Sequence, residues 1–450
     1  MVSRRGRRLL LLLALALPLL LGAQEASADA VRIEHFFLVL IAILMTAKVF
    51  GEVAERVGQP AVLGELLAGV VLGASVTGIL PSAGPIHDVV VLLKDVGVAI
   101  LLFEIGLETD LGEMFRVGGP ALLVAVVGVI LPFGLGFLYW WAAAPGLGMP
   151  DGISATTAAI FVGATLTATS VGITARVLND LGSIHTPEAR VIIGAAVVDD
   201  VLGLVLLAIV SGLAAGATIT LAGVAWKFAV AVGFLVAAVV VGNRLAPRLF
   251  AFIDGMEVRG MLLVSAFCFA LLFAALAGLA GSAMIIGSFA AGIVLSSTNQ
   301  FDAITHRIEP VADIFTPIFF VVVGAGVDVR LLLPWAAAFD WTVLGAGAAL
   351  LAIAIVGKVA AGFAVGWGKR KLNHLAIGVG MVPRGEVGLI FADLGLTAGI
   401  LSQPAFSAIL IMVICTTFLA PPLLKPIFRG ISPGPTDPSV RAGATEPPDG

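Results

Sequence analysis

The sequence predicts an all-α integral membrane protein with about thirteen transmembrane helices, arranged as two inverted six-helix repeats. Three observations carry this prediction. The 450 residues are 60% hydrophobic and only 12% charged, with a mean hydropathy of +1.12. Apolar segments that suit helices across a bilayer recur along nearly the whole chain. Lys and Arg residues cluster in alternate loops, as they do in multi-span membrane proteins.

The first 30 residues have the layout of a secretory signal. Four arginines between positions 4 and 8 precede a leucine-rich run over 9–21, and small residues follow up to Ala28. A basic region, a short apolar region and a small-residue cleavage site are typical of a signal peptide, which we therefore predict over residues 1–30. Its removal would leave the mature N-terminus outside.

Thirteen apolar segments follow. They are 35–51, 60–78, 89–108, 119–143, 153–175, 189–212, 222–242, 259–279, 281–297, 309–328, 341–367, 373–396 and 404–428. Because thirteen is odd, a unit of segments 1–6 and a unit of segments 8–13 begin on opposite sides of the membrane. The halves are therefore predicted to be inverted repeats, an arrangement common among transporters.

The distribution of cations gives the orientation. Threading the chain inward through the first segment puts fifteen Lys and Arg residues on the cytoplasmic side, against two outside. The fifteen are Lys48, Arg56, Arg116, Arg176, Arg190, Arg244, Arg248, Arg259, Arg307, Lys369, Arg370, Lys371, Lys425, Arg429 and Arg441, and the two are Arg32 and Arg330. This bias predicts a cytoplasmic C-terminus. Lys94 and Lys227 lie close enough to outer ends that we expect them to snorkel to the surface.

Two adjacent carboxylates, Asp199 and Asp200, interrupt the segment 189–212. Counted from Arg190 they lie roughly 15 Å deep, at the middle of a hydrocarbon core of about 30 Å. A charge there costs at least about 2.5 kcal/mol, so the pair indicates an ion or proton site with a partner to be found. Lys358, in the eleventh segment, reaches a similar depth.

The fifth and twelfth segments carry helix-breaking residues at corresponding positions of the two halves. In the fifth, Gly163 and Gly172 bracket four hydroxyl residues, Thr165, Thr167, Thr169 and Ser170. In the twelfth, Pro383 and Gly385 would break the hydrogen-bond ladder inside the membrane. Matched interruptions of this kind predict a binding site in a transporter built from repeats.

Several motifs, in order, resemble those of the monovalent cation:proton antiporter-2 family, which includes bacterial sodium/proton antiporters. They are QPAVLGELLAGVVLG at 59–73, LLFEIGLETDL at 101–111, ATLTATSVGITARVL at 164–178, VVDDVLGLV at 197–205, PIFFVVVG at 317–324 and GMVPRGEVGLIFA at 380–392. The resemblance covers about 35–428.

The resemblance implies a membrane antiporter domain over 31–429. Its core domain would hold two crossed, unwound helices near 153–178 and 373–396, beside a separate dimerisation domain that makes a homodimer. It implies exchange of a monovalent cation for protons by an elevator-like movement, in the cytoplasmic (inner) membrane of a bacterium. The acid pair together with Lys358 resembles the electrogenic sodium/proton branch.

The resemblance also assigns roles within the site. Asp200 would be the principal ion and proton carrier and Asp199 the partner of Lys358, in keeping with the roughly 100° between adjacent helix positions. Thr169, with Thr167 and neighbouring backbone carbonyls, would complete the oxygen shell of Na⁺. The residues themselves give four secondary expectations: Arg384 and Glu386 have a structural role and could pair where the helix unwinds, while Glu104 and Glu65 line a vestibule or pair with Arg384.

No nucleotide-binding or catalytic motif occurs in the sequence, so we expect neither an enzyme, a cofactor nor a nucleic-acid partner. The expected partners are a monovalent cation, protons and membrane lipid. The Pro- and Gly-rich residues 430–450 predict a disordered cytoplasmic tail. Two alternatives stay open: a K⁺/H⁺ exchanger or ligand-gated K⁺ efflux system, and a non-transporting membrane sensor. The choice among Na⁺, Li⁺ and K⁺ stays open too.

Overall fold

The structure, a computed structural model, describes residues 33–109, 118–143, 147–148, 150, 152–181, 183–184, 186–214, 221–365 and 372–428. The predicted signal peptide and the predicted tail lie outside the described residues. The α-helices of the described ranges are α1 (Ile33–Arg56), α2 (Ala61–Leu72), α3 (Pro85–Glu108), α4 (Gly118–Ala143), α5 (Ala155–Thr165), α6 (Val171–Asp180), α7 (Pro187–Ala214), α8 (Leu221–Asp254), α9 (Met261–Leu279), α10 (Met284–Ser296), α11 (Phe301–Ala325), α12 (Trp341–Gly362), α13 (His374–Gly380), α14 (Glu386–Thr397) and α15 (Gln403–Phe428).

Each of the thirteen predicted segments coincides with a helix or a pair of helices. The fifth is divided into α5 and α6, and the twelfth into α13 and α14. Seven of the described helices are long and apolar enough to cross a membrane by length and composition. The all-helical fold class is therefore confirmed.

Two helices extend furthest beyond one end of their predicted segments. The seventh segment was expected to end at 242, but α8 continues to Asp254. Its buried residues Ala246, Phe250 and Ile253 recur every three or four positions, so an apolar stripe continues beneath the arginines of that stretch. In the same way, α11 begins at Phe301 instead of 309.

The helices form two bundles. The scaffold bundle consists of α1, α2, α3, α8, α9, α10 and α11, and the core bundle of α4, α5, α6, α7, α12, α13, α14 and α15. Each bundle thus takes three predicted spans from the first half of the chain and three from the second, while α8 links the halves. The main helix contacts between the bundles are those of α7 with α8 and of α15 with α2.

Two helix crossings inside the scaffold bundle are equivalent under the inverted repeat. Where α2 crosses α11, a Cβ on Gly69 would overlap the carbonyl oxygen of Val321, and one on Gly324 would overlap that of Leu66. Where α10 crosses α3, a Cβ on Gly292 or Gly106 would likewise overlap a carbonyl oxygen of the other helix. Small residues let these backbones touch, so the same contact is built twice.

The long helices alternate in direction, which gives the molecule two faces. We call one the basic face, because it holds the end of α1 at Arg56 and the beginning of α9 after Arg259. The opposite face holds the beginnings of α3 and α15 and the end of α14.

Candidate functional site

The two broken spans cross each other at their breaks. Helix α5 ends at Thr165 and α6 begins at Val171, while α13 ends at Gly380 and α14 begins at Glu386. Backbone groups freed by one break bond to the other. The bonds are Ser170 N–H to Pro383 O at 2.9 Å, Thr169 Oγ1 to Met381 O at 3.0 Å and Thr174 Oγ1 to Gly380 O at 2.9 Å. The crossing therefore provides hydrogen-bond partners for backbone N–H and C=O groups that would find none in lipid.

Arg384 lies at the centre of this crossing and is fully buried. Its Nη1 donates to the carbonyl oxygens of Thr167, at 2.9 Å, and Ala168, at 2.8 Å. The predicted ion pairs of Arg384 with Glu386, Glu104 or Glu65 are wrong, because within the described residues the guanidinium pairs with no carboxylate. The carbonyls just beyond the end of α5 carry the negative end of the helix dipole and provide fixed acceptors instead.

Some oxygens of the predicted Na⁺ shell already make hydrogen bonds. The carbonyls of Thr167 and Ala168, which were expected to ligate a cation, accept from the guanidinium. The hydroxyl of Thr167 donates to Ala164 O at 2.8 Å, and that of Thr169 donates to Met381 O. Both hydroxyl oxygens keep their lone pairs for a cation, so the shell stays a prediction.

The acid pair lies beside the crossing, midway along α7. Asp199 and Lys358 have no exposed surface, and Asp199 Oδ2 accepts from Lys358 Nζ at 2.9 Å. The same oxygen accepts from the backbone N–H of Thr169 at 2.8 Å. The structure thus brings Asp199, Lys358 and Thr169 together, as the resemblance implied.

Two carboxylate oxygens at this place have no partner among the described residues. They are Oδ1 of Asp199 and Oδ1 of Asp200, and both are buried. Buried polar atoms are almost always hydrogen-bonded, so such a pair calls for an explanation. Two such carboxylate oxygens, beside a buried ammonium, can bind protons or a hard cation.

The secondary candidates divide between the bundles. Glu386 begins α14 and accepts a long hydrogen bond, 3.3 Å, from Ser170 Oγ, where the helix N-terminus favours negative charge. Glu65 lies on α2 and Glu104 on α3, both in the scaffold bundle. Glu65 is buried and Glu104 half-buried. Neither donates to or accepts from the acid pair.

Lys94 lies elsewhere than predicted and pairs with Asp393, a residue that the sequence had not singled out. Lys94 does not snorkel: it is 4% exposed, and its Nζ lies 2.6 Å from Asp393 Oδ2. The partners are 299 residues apart in the chain, so no local pattern joins them. The one available signal was that Asp393 is an acid inside an apolar segment, which requires a partner.

Comparisons with known proteins agree with this architecture. The family described as sodium/hydrogen exchanger, transmembrane, matches residues 10–430. The high-affinity Na⁺/H⁺ antiporter NhaS3 of Synechocystis sp. is 41% identical over 423 residues, covering 87% of this chain and 90% of that protein. The Na⁺/H⁺-K⁺ antiporter GerN of Bacillus cereus is 36% identical, covering 88% of this chain and 96% of that one.

A solved structure has a similar fold. The sodium proton antiporter MjNhaP1 of Methanocaldococcus jannaschii superimposes with a TM-score of 0.62 at 17% identity, over 89% of this chain and 97% of that one. The sequence match spans nearly the whole chain and the described helices follow the same fold. This chain therefore belongs to the sodium/hydrogen exchanger family of membrane transporters.

Proposed function

We propose that this protein exchanges Na⁺, or Li⁺, for protons across the cytoplasmic membrane of a bacterium, with Asp200 as the principal carrier. The observation that carries the proposal is the fully buried Asp199–Lys358 pair, beside two carboxylate oxygens that have no partner in the part of the chain that the structure describes. The Na⁺/H⁺ antiporter NhaS3, a relative over most of the chain, supports the choice of cation.

Competition for the acids couples the two fluxes. When Asp200 is protonated and Lys358 is paired with Asp199, the three side chains sum to zero charge. When Na⁺ lies between the carboxylates it draws Asp199 away from Lys358. The ammonium then loses the partner that keeps it charged in a buried place, and it releases its proton.

This scheme makes the exchange electrogenic. The Na⁺-loaded site contains two carboxylates, one Na⁺ and a neutral lysine, and so carries one negative charge. Two protons therefore replace one Na⁺, and one net charge crosses per cycle. A membrane potential acts on that charge with about 2.3 kcal/mol per 100 mV.

The two-bundle arrangement supports an elevator-like movement. The acid pair, Lys358 and both breaks belong to the core bundle, which would shift as a unit past the scaffold bundle. We assign the basic face to the cytoplasm, by the positive-inside rule. The N-terminus would then be outside after signal cleavage, the C-terminus cytoplasmic, and the scaffold bundle the dimerisation surface of a homodimer.

The test is a proteoliposome assay with an imposed pH gradient. We expect added Na⁺ or Li⁺ to dissipate the gradient in the parent protein and not in Asp200→Asn. Asp340→Asn is the matched control, since Asp340 caps α12 at the surface and its loss should leave exchange intact. A parent protein that moves protons with none of Na⁺, Li⁺ or K⁺ would contradict the proposal and favour a sensor.

A second candidate is K⁺/H⁺ exchange. The relative GerN is named as an antiporter of Na⁺, H⁺ and K⁺, and the acid pair itself does not discriminate among alkali cations. The same assay decides: K⁺ dissipating the gradient as well as Na⁺ does would make this second candidate the better description. K⁺ flux without proton movement would point to a channel.

A further inference from the structure

A partly buried ion pair joins the scaffold bundle to the core bundle. Lys94 belongs to α3 and Asp393 to α14, and their charged atoms lie 2.6 Å apart. The side chains are 5% and 21% exposed. Because the core bundle is proposed to move past the scaffold bundle, this bond must break whenever the two slide. This reasoning rests on the proposed exchange.

The pair lies on the half of the molecule next to the opposite face. Lys94 is nine residues from the beginning of α3, roughly 14 Å along the helix axis, and Asp393 is four residues before the end of α14. A cavity of about 770 Å³ extends from the pair and is lined by residues of both bundles, including Asp88, Asp328 and Gln403. Both Lys94 and Asp393 thus belong to the lining of this cavity.

A second bond crosses the same seam on the same face. Gln403, at the beginning of α15 in the core bundle, donates through Nε2 to the carbonyl oxygen of Gly326, which follows α11 in the scaffold bundle. Two polar contacts between the bundles therefore lie together at the opposite face.

The attraction between α3 and α14 lies toward the opposite face, where Lys94 pairs with Asp393. This attraction favours a seam that is closed at the opposite face.

Lys94 also has a partner to turn to when the pair breaks. The carboxylate of Asp95, the next residue on α3, lies 3.6 Å from Lys94 Nζ and is 57% exposed. A protein is strongly destabilised when a buried cation loses its only partner. Asp95 would keep Lys94 compensated after Asp393 has moved away, so the pair can open without stranding a charge.

We propose that Lys94 and Asp393 form the outer gate of the exchanger, a pair of positioning residues whose separation opens the ion site to the opposite face. In the closed arrangement they hold α3 and α14 together between the cavity and the acid pair. Opening transfers Lys94 to Asp95 and exposes Asp393 to the cavity.

The first test fixes the gate shut. Lys94→Cys and Asp393→Cys are combined in a protein whose native Cys268 and Cys415 are replaced, and a short bis-methanethiosulfonate reagent links them. We expect linking to abolish Na⁺/H⁺ exchange in proteoliposomes and reduction to restore it. The matched control links cysteines at Lys48 and Asp313, which pair at 2.9 Å within the scaffold bundle, and should leave exchange intact.

The second test removes the gate and reads access without relying on transport. Val98→Cys places a thiol one turn below Lys94, at a buried position. With Lys94→Gln and Asp393→Asn added, labelling by a membrane-impermeant maleimide should rise roughly tenfold in intact cells, since loss of the pair shifts the population toward the open arrangement. Labelling in inverted vesicles should not rise.

The outcomes separate the gate from the exchange. Exchange that continues in the linked protein would overturn the gate and leave the exchange standing. A parent protein without exchange would overturn the proposed function, and the labelling would still decide whether the pair controls access. Unchanged labelling, or a rise confined to inverted vesicles, would overturn an outer gate.

Discussion

Removing the charge of Lys358 tests the buried pair and the coupling scheme together. Lys358→Met keeps a side chain of similar length but leaves Asp199 Oδ2 with only the N–H of Thr169. Since neither partner has exposed surface, the carboxylate cannot turn to water. Breaking such a pair costs about 3 to 5 kcal/mol.

That loss is measurable as a shift in thermal stability. An unfolding entropy of about 2.1 cal/mol/K per residue over the 450 residues converts the loss into a Tm lower by roughly 3 to 5 °C. Adding Asp199→Asn removes the stranded charge while an amide oxygen can still accept from Thr169. The double variant should therefore recover most of the Tm in a fluorescence melting assay of the purified protein.

The same double variant makes a sharper prediction about transport. With Asp200 as the remaining acid, one proton replaces one Na⁺ and no net charge crosses. A potential of 100 mV, which favours accumulation roughly 50-fold when one charge moves, should then have no effect on the Na⁺ gradient reached in proteoliposomes. Continued response to voltage in the double variant, or an unchanged Tm in Lys358→Met, would refute the reasoning.

Three further predictions concern helix packing and capping in the two bundles. Gly292→Ala should lower stability by about 1 to 3 kcal/mol, because its methyl group meets backbone of α3, whereas Gly345→Ala, with open space around it, should be neutral or stabilising in the same melting assay. Arg384→Met should reduce the yield of folded protein in size-exclusion chromatography, since two buried carbonyls lose their donor, each at about 1 to 3 kcal/mol; a normal elution profile would contradict this. Asp340→Ala should cost about 1 kcal/mol through loss of the α12 cap. Hydrogen bonds from Thr342 lower the pKa of Asp340. The stabilisation by the cap should therefore be present at neutral pH and be lost as the pH falls through this lowered pKa. A Tm difference between Asp340→Ala and its parent that is the same at acid and neutral pH would contradict the role of the cap.

Much of the fold could be predicted because its signals are local. Hydropathy located all thirteen segments. Pro383 and Gly385 located the second break, because the missing N–H of proline and the flexibility of glycine disrupt a helix at their own positions. The bracketed hydroxyls of the fifth segment marked the first break in the same way.

The partners of the charged residues could not be predicted so well. The carbonyls that receive Arg384 lie 217 and 216 residues earlier in the chain, and the sequence suggested nearby acids instead. Lys94 was assigned to the membrane surface because its helix alone gave no reason to bury it. Contacts between residues of the two repeats depend on how the two halves pack, and the sequence of a single segment does not predict that packing.

Arg384 has a consequence for the empty carrier. At the crossing of the broken helices its positive charge is part of the chain itself and faces the carbonyls just beyond α5. These carbonyls therefore have a donor without any transported cation. An exchanger must pass through a form that carries only protons, and in that form the guanidinium still supplies the positive charge at the crossing.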